Sequence, residues 1–270
     1  MTSSTLVAAS DRRLAPMCAI PGQRSYSGAD LRCRRGALGL PEQDAAMLLN
    51  APVAALRAWE ATAVPQRELS AVIDRLSRVE RTADHITTHL SAEATRTGRI
   101  TTFRTDTGAA AAGAPTGVAV LHRICAGRAW ESHRDATLVL GDVTQPAVAE
   151  PDRRAELMIR LTMLALTRND IEQRLGLGHR RIQQWIRGDS LIPDGIFTDL
   201  DTLEQAADKH TETLEETTAD TGCLQVAATV TDLLAAYPAT QNVALSTHWA
   251  AAGVLLSDDN QLRAHWIGSR

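Results

Sequence analysis

The stretch LGLGHRRIQQWIRGDSLIP, Leu175 to Pro193, holds the side chains best suited to recognition chemistry: His179, Arg180, Arg181, Gln184 and Arg187. An arginine offers a planar fork of donors that fits guanine O6 and N7, and a glutamine amide fits adenine N6 and N7. Arg181 and Arg187 are also of the type that reaches backbone phosphates. For that chemistry the residues need a helix packed on its other face. Ile171, Leu175, Ile182 and Trp185 are the apolar set that two short helices need to pack on a third, and the polar residues fall outside it. The spacing predicts short helices over Thr167 to Leu175 and Gly178 to Arg187, after a longer one over Asp152 to Leu166, with Thr167 as N-cap.

A second stretch, LLNAPVAALRAWEATAVP from Leu48 to Pro65, has the same skeleton with most polar residues gone. Sliding the chain by 126 residues places Leu31, Arg34, Leu38, Leu40, Asp44, Leu49 and Trp59 on Leu157, Arg160, Leu164, Leu166, Asp170, Leu175 and Trp185. The same offset places His122, Ala126 and Gly127 on His248, Ala252 and Gly253. One register across two distant blocks marks a duplicated unit of about 120 residues, too long for a solenoid repeat.

The expected organisation is an N-terminal arm over 1–24 without order, a first unit over 25–95 with its small α/β segment over 96–147, and a second over 150–220 with its segment over 221–270. In the first unit, Ser27 is the expected N-cap of the opening helix, and two short helices and a long one over Gln66 to Leu90 follow. The second long helix is expected from Pro193 to Leu214, its acidic run forming a solvated face. The first tail reads as a strand ITTFRT, a flexible DTGAAAAGAPTG, a helix near Val118 to Ser132 and a strand ATLVL, and the second as CLQVAAT, a helix ending at Tyr237 and Pro238, a helix near Val243 to Leu256 and a terminal strand QLRAHWI. Each reads as too small to close a core alone, so the two tails are expected to pack on one another.

The triplet Leu166 to Arg187 resembles the helix-turn-helix of the Xre/Cro, lambda-repressor-like family, whose third helix enters the major groove. The resemblance covers some 35 residues in each unit. It places the phosphate-binding position on Arg168 and the base-reading positions on His179 and Arg180, with Gln184 one turn on. Gly178 stands where the family has a Ser or Thr cap, a tolerable exchange. Carried to the first unit, the same positions are Glu42, Val53, Ala54 and Ala58: a carboxylate repels phosphate, and alanine offers no hydrogen bond to a base. The resemblance thus implies a retained fold with degraded chemistry, in which any DNA contact by the first unit would come from Arg57 or Arg67. Leu49, Leu56 and Trp59, like Leu175, Ile182 and Trp185, are expected in the core of the motif.

The whole unit is similar to stand-alone anti-CRISPR-associated autorepressors and antitoxin-type regulators, whose C-terminal segments dimerise. This implies a mainly α fold with small α/β segments, two tandem helix-turn-helix units forming an intramolecular pseudo-dimer joined around His122 and His248. The implied function is a sequence-specific regulator of transcription, a repressor, with double-stranded DNA as partner and a homodimer covering a palindrome. The alternative is a protein-interaction module that uses a retired helix-turn-helix to bind a protein partner.

Composition sets the remaining bounds. Net charge is −4, so a basic patch would be local on an acidic body, and Lys209 is the one lysine. The sequence has no basic, apolar leader and no run long enough for a bilayer, which reads as a cytoplasmic protein without membrane contact. Cys18, Cys33, Cys125 and Cys223 stand too far apart for a zinc site or a disulfide framework and read as reduced thiols. His122 and His248 have no acid or Cys partner at fixed spacing and read as packing residues. With no Gly-rich phosphate loop, HExxH, GxSxG or paired carboxylates, no catalytic residue, metal or cofactor is expected.

Overall fold

The computed structural model describes residues 26–63, 67–143, 153–259 and 261–268, so the arm expected over 1–24 lies outside the described residues. The chain is mainly helical and repeats one order of elements. The first half runs α1 (Gly28–Ala37), α2 (Glu42–Leu48), α3 (Val53–Glu60), α4 (Arg67–Thr97), β1 (Arg99–Thr102), α5 (Asp106–Ala111), α6 (Ala119–Glu131) and β2 (Thr137–Leu140). The second runs α7 (Arg154–Met163), α8 (Arg168–Leu175), α9 (His179–Arg187), α10 (Asp194–Thr221), β3 (Leu224–Val226), α11 (Val230–Ala236), α12 (Leu245–Asp258) and β4 (Ala264–Trp266). Each half pairs its two strands in parallel, Ile100 opposite Leu138 and Gln225 opposite His265.

The left-handed turns repeat with the same register, whereas the side-chain caps differ between the halves. The turn before the second helix takes a left-handed residue at Gly39 and at Ala165, and the turn after it at Asn50 and Gly176. Ser27 caps α1 through a capping box with Asp30, and Thr167 caps α8 through one with Asp170. Both long helices run seven residues past their expected ends and stop at left-handed glycines, Gly98 and Gly222. In the first, Leu90 and Ala94 are buried, so packing carries the helix where periodicity had faded. The segment expected as a flexible link holds α5, capped by Thr105 and tied in by Asp106, which accepts from the Ala119 N–H at 2.8 Å. Its alanines carry no periodic signal, which is why the sequence hid it.

The tails do not close on one another. Each packs on its own long helix and on the opening helix of the other half: α6 against α4 and α7, α12 against α10 and α1. Ala29 and Cys33 of α1 accordingly share a core with Leu233, Ala252 and Leu255, while Met158 and Ile159 of α7 join the first half's core. The cap of α1 is itself anchored across the joint, with Ser27 Oγ donating to the Ala264 carbonyl at 2.7 Å and Asp30 Oδ1 accepting from the Ala264 N–H at 3.0 Å. At both crossings the tail helix presents a glycine in the shared register. A side chain at Gly253 would collide with the Cys33 carbonyl, and one at Gly127 would meet Met163 Sδ at 2.5 Å.

His248 lies at the heart of the second tail. Its Nε2 accepts from the Ala227 N–H at 2.9 Å, which places its proton on Nδ1 and directs it to His210 Nε2 at 2.7 Å. Burial pushes His210 and His122 down to about 4 and His248 to about 3, the neighbouring ring and arginine adding to the effect at His248 and His122. The three rings are therefore neutral in the folded protein and protonate in the unfolded chain below about pH 6.5. Stability is expected to be full above that pH and to fall between about 6.5 and 4, by about 1.4 kcal/mol per pH unit for each ring in that window. Urea midpoints measured at pH 7.5 and 5 check this, and equal midpoints would contradict it.

Cys33 and Cys125 are buried free thiols, and Cys18 lies outside the described residues. Cys223 is buried just before β3. Among the described residues no helix is long and apolar enough to cross a membrane.

Candidate nucleic-acid interface

The residues singled out on the second half come together on α8 and α9. Ile182 and Trp185 of α9 are buried in a cluster with Leu157, Leu161, Leu164, Ile196, Phe197 and Leu200, and Leu175 and Ile171 pack against it half-buried. This cluster fixes which face of α9 is left over. His179, Arg180, Arg181 and Arg187 are exposed, Gln184 is half-buried, and Arg168 is exposed at the start of α8. Arg180, Gln184 and Arg187 line one shallow recess with His179, and the exposed Asp189 is the carboxylate beside them.

None of Arg168, Arg180, Arg181 and Arg187 is in an ion pair among the described residues. An exposed arginine outside any internal ion pair has no such pair to break before it meets an anion, so these four form a ready electrostatic footprint. Gly178 opens α9 in an extended conformation and provides no side-chain cap, as the sequence implied. The first N–H groups of the helix are thus left for solvent or an anion.

The same positions in the first half do the opposite. Glu42 accepts from Arg57 Nε at 2.6 Å and has Arg32 at 3.7 Å. Val53 is half-buried, and Ala54 and Ala58 are exposed. Arg57, expected as a source of any DNA contact by the first unit, lies within α3 and is tied to Glu42. The Arg67 side chain lies outside the described residues. Leu49 and Leu56 are fully buried, whereas Trp59 is only half-buried against the core.

Two arginines from the first tail reach the second motif, and sequence reading missed both. Arg104, just after β1, lines a recess with Gln183, Ile186 and Arg187 of α9. Arg123 of α6 lies behind α9, donating to the Phe103 carbonyl at 2.9 Å and to Thr162 Oγ1 at 3.2 Å. Neither carries a local signal, because the joint between one half's tail and the other half's opening helix is invisible in a linear pattern. No group of three or more His, Cys, Asp or Glu able to hold a metal occurs among the described residues. Comparison with known proteins returns no match to a family model, a curated protein or a solved structure.

Proposed function

We propose that the protein is a sequence-specific regulator of transcription, a repressor, that reads the major groove of double-stranded DNA with α9. The reading is supported above all by one observation. Helix α9 is held by buried Ile182 and Trp185 and turns Arg180, Arg181, Arg187 and Gln184 outward with no ion pair among the described residues. In this reading α7, α8 and α9 form an Xre/Cro-like helix-turn-helix. Arg168 binds phosphate at the start of α8, His179, Arg180 and Gln184 face base edges, and Arg181 and Arg187 hold the backbone. Helices α1, α2 and α3 form its retired counterpart, and the exchange of opening helices between halves makes the chain an intramolecular pseudo-dimer. One reading helix covers one half-site, so two chains on a palindrome are expected to form the working unit.

A second reading is favoured by the other face. Met47 is 59% exposed on α2, and Ala54 and Ala58 are exposed on α3, apolar residues suited to a protein partner rather than DNA. Genomic fragments mixed with the purified chain at near-physiological salt decide between them. Enrichment of one motif is expected, and no enrichment above competitor DNA would favour the protein partner.

A further inference from the structure

We propose that the joint behind α9 is a binding site for a small monocarboxylate with an apolar tail. The two halves build this joint from positions related by the 126-residue offset, but they fill it differently. In the first half, Glu60 of α3 is 2% exposed and is gripped by Arg35, at 2.5 and 3.1 Å, and by Arg32. Arg32 in turn stacks on Trp249 of the second tail at 4.0 Å from the ring centroid. That joint is closed by the protein's own carboxylate between its own cations.

In the second half every one of these partners is exchanged. Glu60 becomes Ile186, Arg32 becomes Met158, Arg35 becomes Leu161, and Trp249 corresponds to Arg123. What results is a cleft of about 230 Å³ with an apolar wall of Met158, Leu161, Ile171, Ile182 and Ile186 and one buried cation, Arg123. Arg123 is 9% exposed and has no carboxylate within ion-pair distance among the described residues. Its Nε and Nη1 are spent on Thr162 Oγ1 and the Phe103 and Arg104 carbonyls, leaving Nη2 without a hydrogen bond among the described residues. Burial pushes its guanidinium down to about 10, only partly offset by the more distant charges of Asp106, Asp142 and Asp44.

A buried guanidinium without a counter-charge is costly, and an anion delivered by a ligand relieves that cost. A ligand carboxylate at Arg123 does for the second joint what Glu60 does for the first. The tail then lies where the first half has charged side chains and the second has Ile186, Met158 and Leu161. At roughly 30 Å³ per water-sized unit, the volume suits about eight heavy atoms, the size of hexanoate. A larger acid would have to protrude past the exposed Arg168 and His179, which also line the cleft.

The test uses the full chain without DNA, so it stands or falls independently of the DNA-reading proposal. Hexanoate, hexanol and hexylamine are titrated by calorimetry against the wild type, Arg123→Gln and Ile186→Phe. Hexanoate is expected to bind one to one with a Kd of about 1 mM or below, and hexanol and hexylamine at least about tenfold more weakly. Arg123→Gln should weaken hexanoate by about tenfold or more, and Ile186→Phe, which fills the cleft and leaves Arg123 in place, should do the same. If Arg123→Gln does not fold, Ile186→Phe decides. No saturable binding of hexanoate to the wild type, equal binding of hexanol, or hexanoate binding unchanged by Ile186→Phe would each overturn the proposal.

Discussion

Replacing Arg180 and Gln184 together by alanine is expected to remove specific DNA binding while leaving the fold intact. Arg180 is exposed and Gln184 half-buried on α9, whose packing rests on Ile182 and Trp185, and the double substitution leaves both of those buried side chains in place. A good bidentate contact between a side chain and a base is worth about 1–3 kcal/mol of discrimination. Losing two such contacts should weaken binding to the preferred motif by about 30-fold to 10⁴-fold, with non-specific binding nearly unchanged. Arg168→Ala should behave differently, weakening all sequences alike and lowering the salt dependence by about one phosphate contact. Anisotropy titrations of the enriched motif and a scrambled duplex at two salt concentrations separate the two patterns. Full affinity for the motif in the double variant would remove α9 from the role assigned to it.

The second large effect is structural. Gly253→Ala should separate the halves, because the new Cβ points at the Cys33 carbonyl and lies 2.9 Å from Ala37 Cβ. A backbone carbonyl in a helix cannot swing aside, so α1 and α12 must move apart. The cost falls on the core shared by Ala29, Cys33, Ala252 and Leu255 and on the anchoring of Ser27 and Asp30 to Ala264. Overpacking of this kind costs about 1–3 kcal/mol when neighbours can yield, and more is expected here. Gly127→Ala is the matched control at the equivalent crossing. It meets Met163 Sδ and Cγ, the yielding part of an unbranched side chain, and should cost about 1 kcal/mol. Thermal unfolding of both variants checks this, and a Gly253 variant as stable as the Gly127 variant would contradict the packing described.

Much of this arrangement is legible in the sequence because local chemistry is written locally. Thr167 and Asp170, Ser27 and Asp30, and the apolar spacing of Ile171, Leu175, Ile182 and Trp185 each act within a few residues. The duplication is readable for the same reason, since Trp59 and Trp185 or His122 and His248 keep one offset. The exchange of opening helices is not readable. A tail of alternating small and apolar residues specifies that something covers it, and the collision that would follow at Cys33 is what explains Gly253. Arg104 and Arg123 were hidden likewise, because their roles come from the other half of the chain. Ala165 adopts φ 51° where its counterpart is Gly39, a conformation that sequence statistics assign to glycine, and only the repeated geometry reveals it.

The central claim is that α9, and not α3, meets DNA. The most direct measurement is photo-cross-linking of the enriched motif, substituted with halogenated bases, to the full chain, followed by mass-spectrometric mapping of the attached peptides. Cross-links confined to residues 168–187, with or without Arg104, are the expected result. Cross-links on residues 42–60, or on neither motif, would contradict the account.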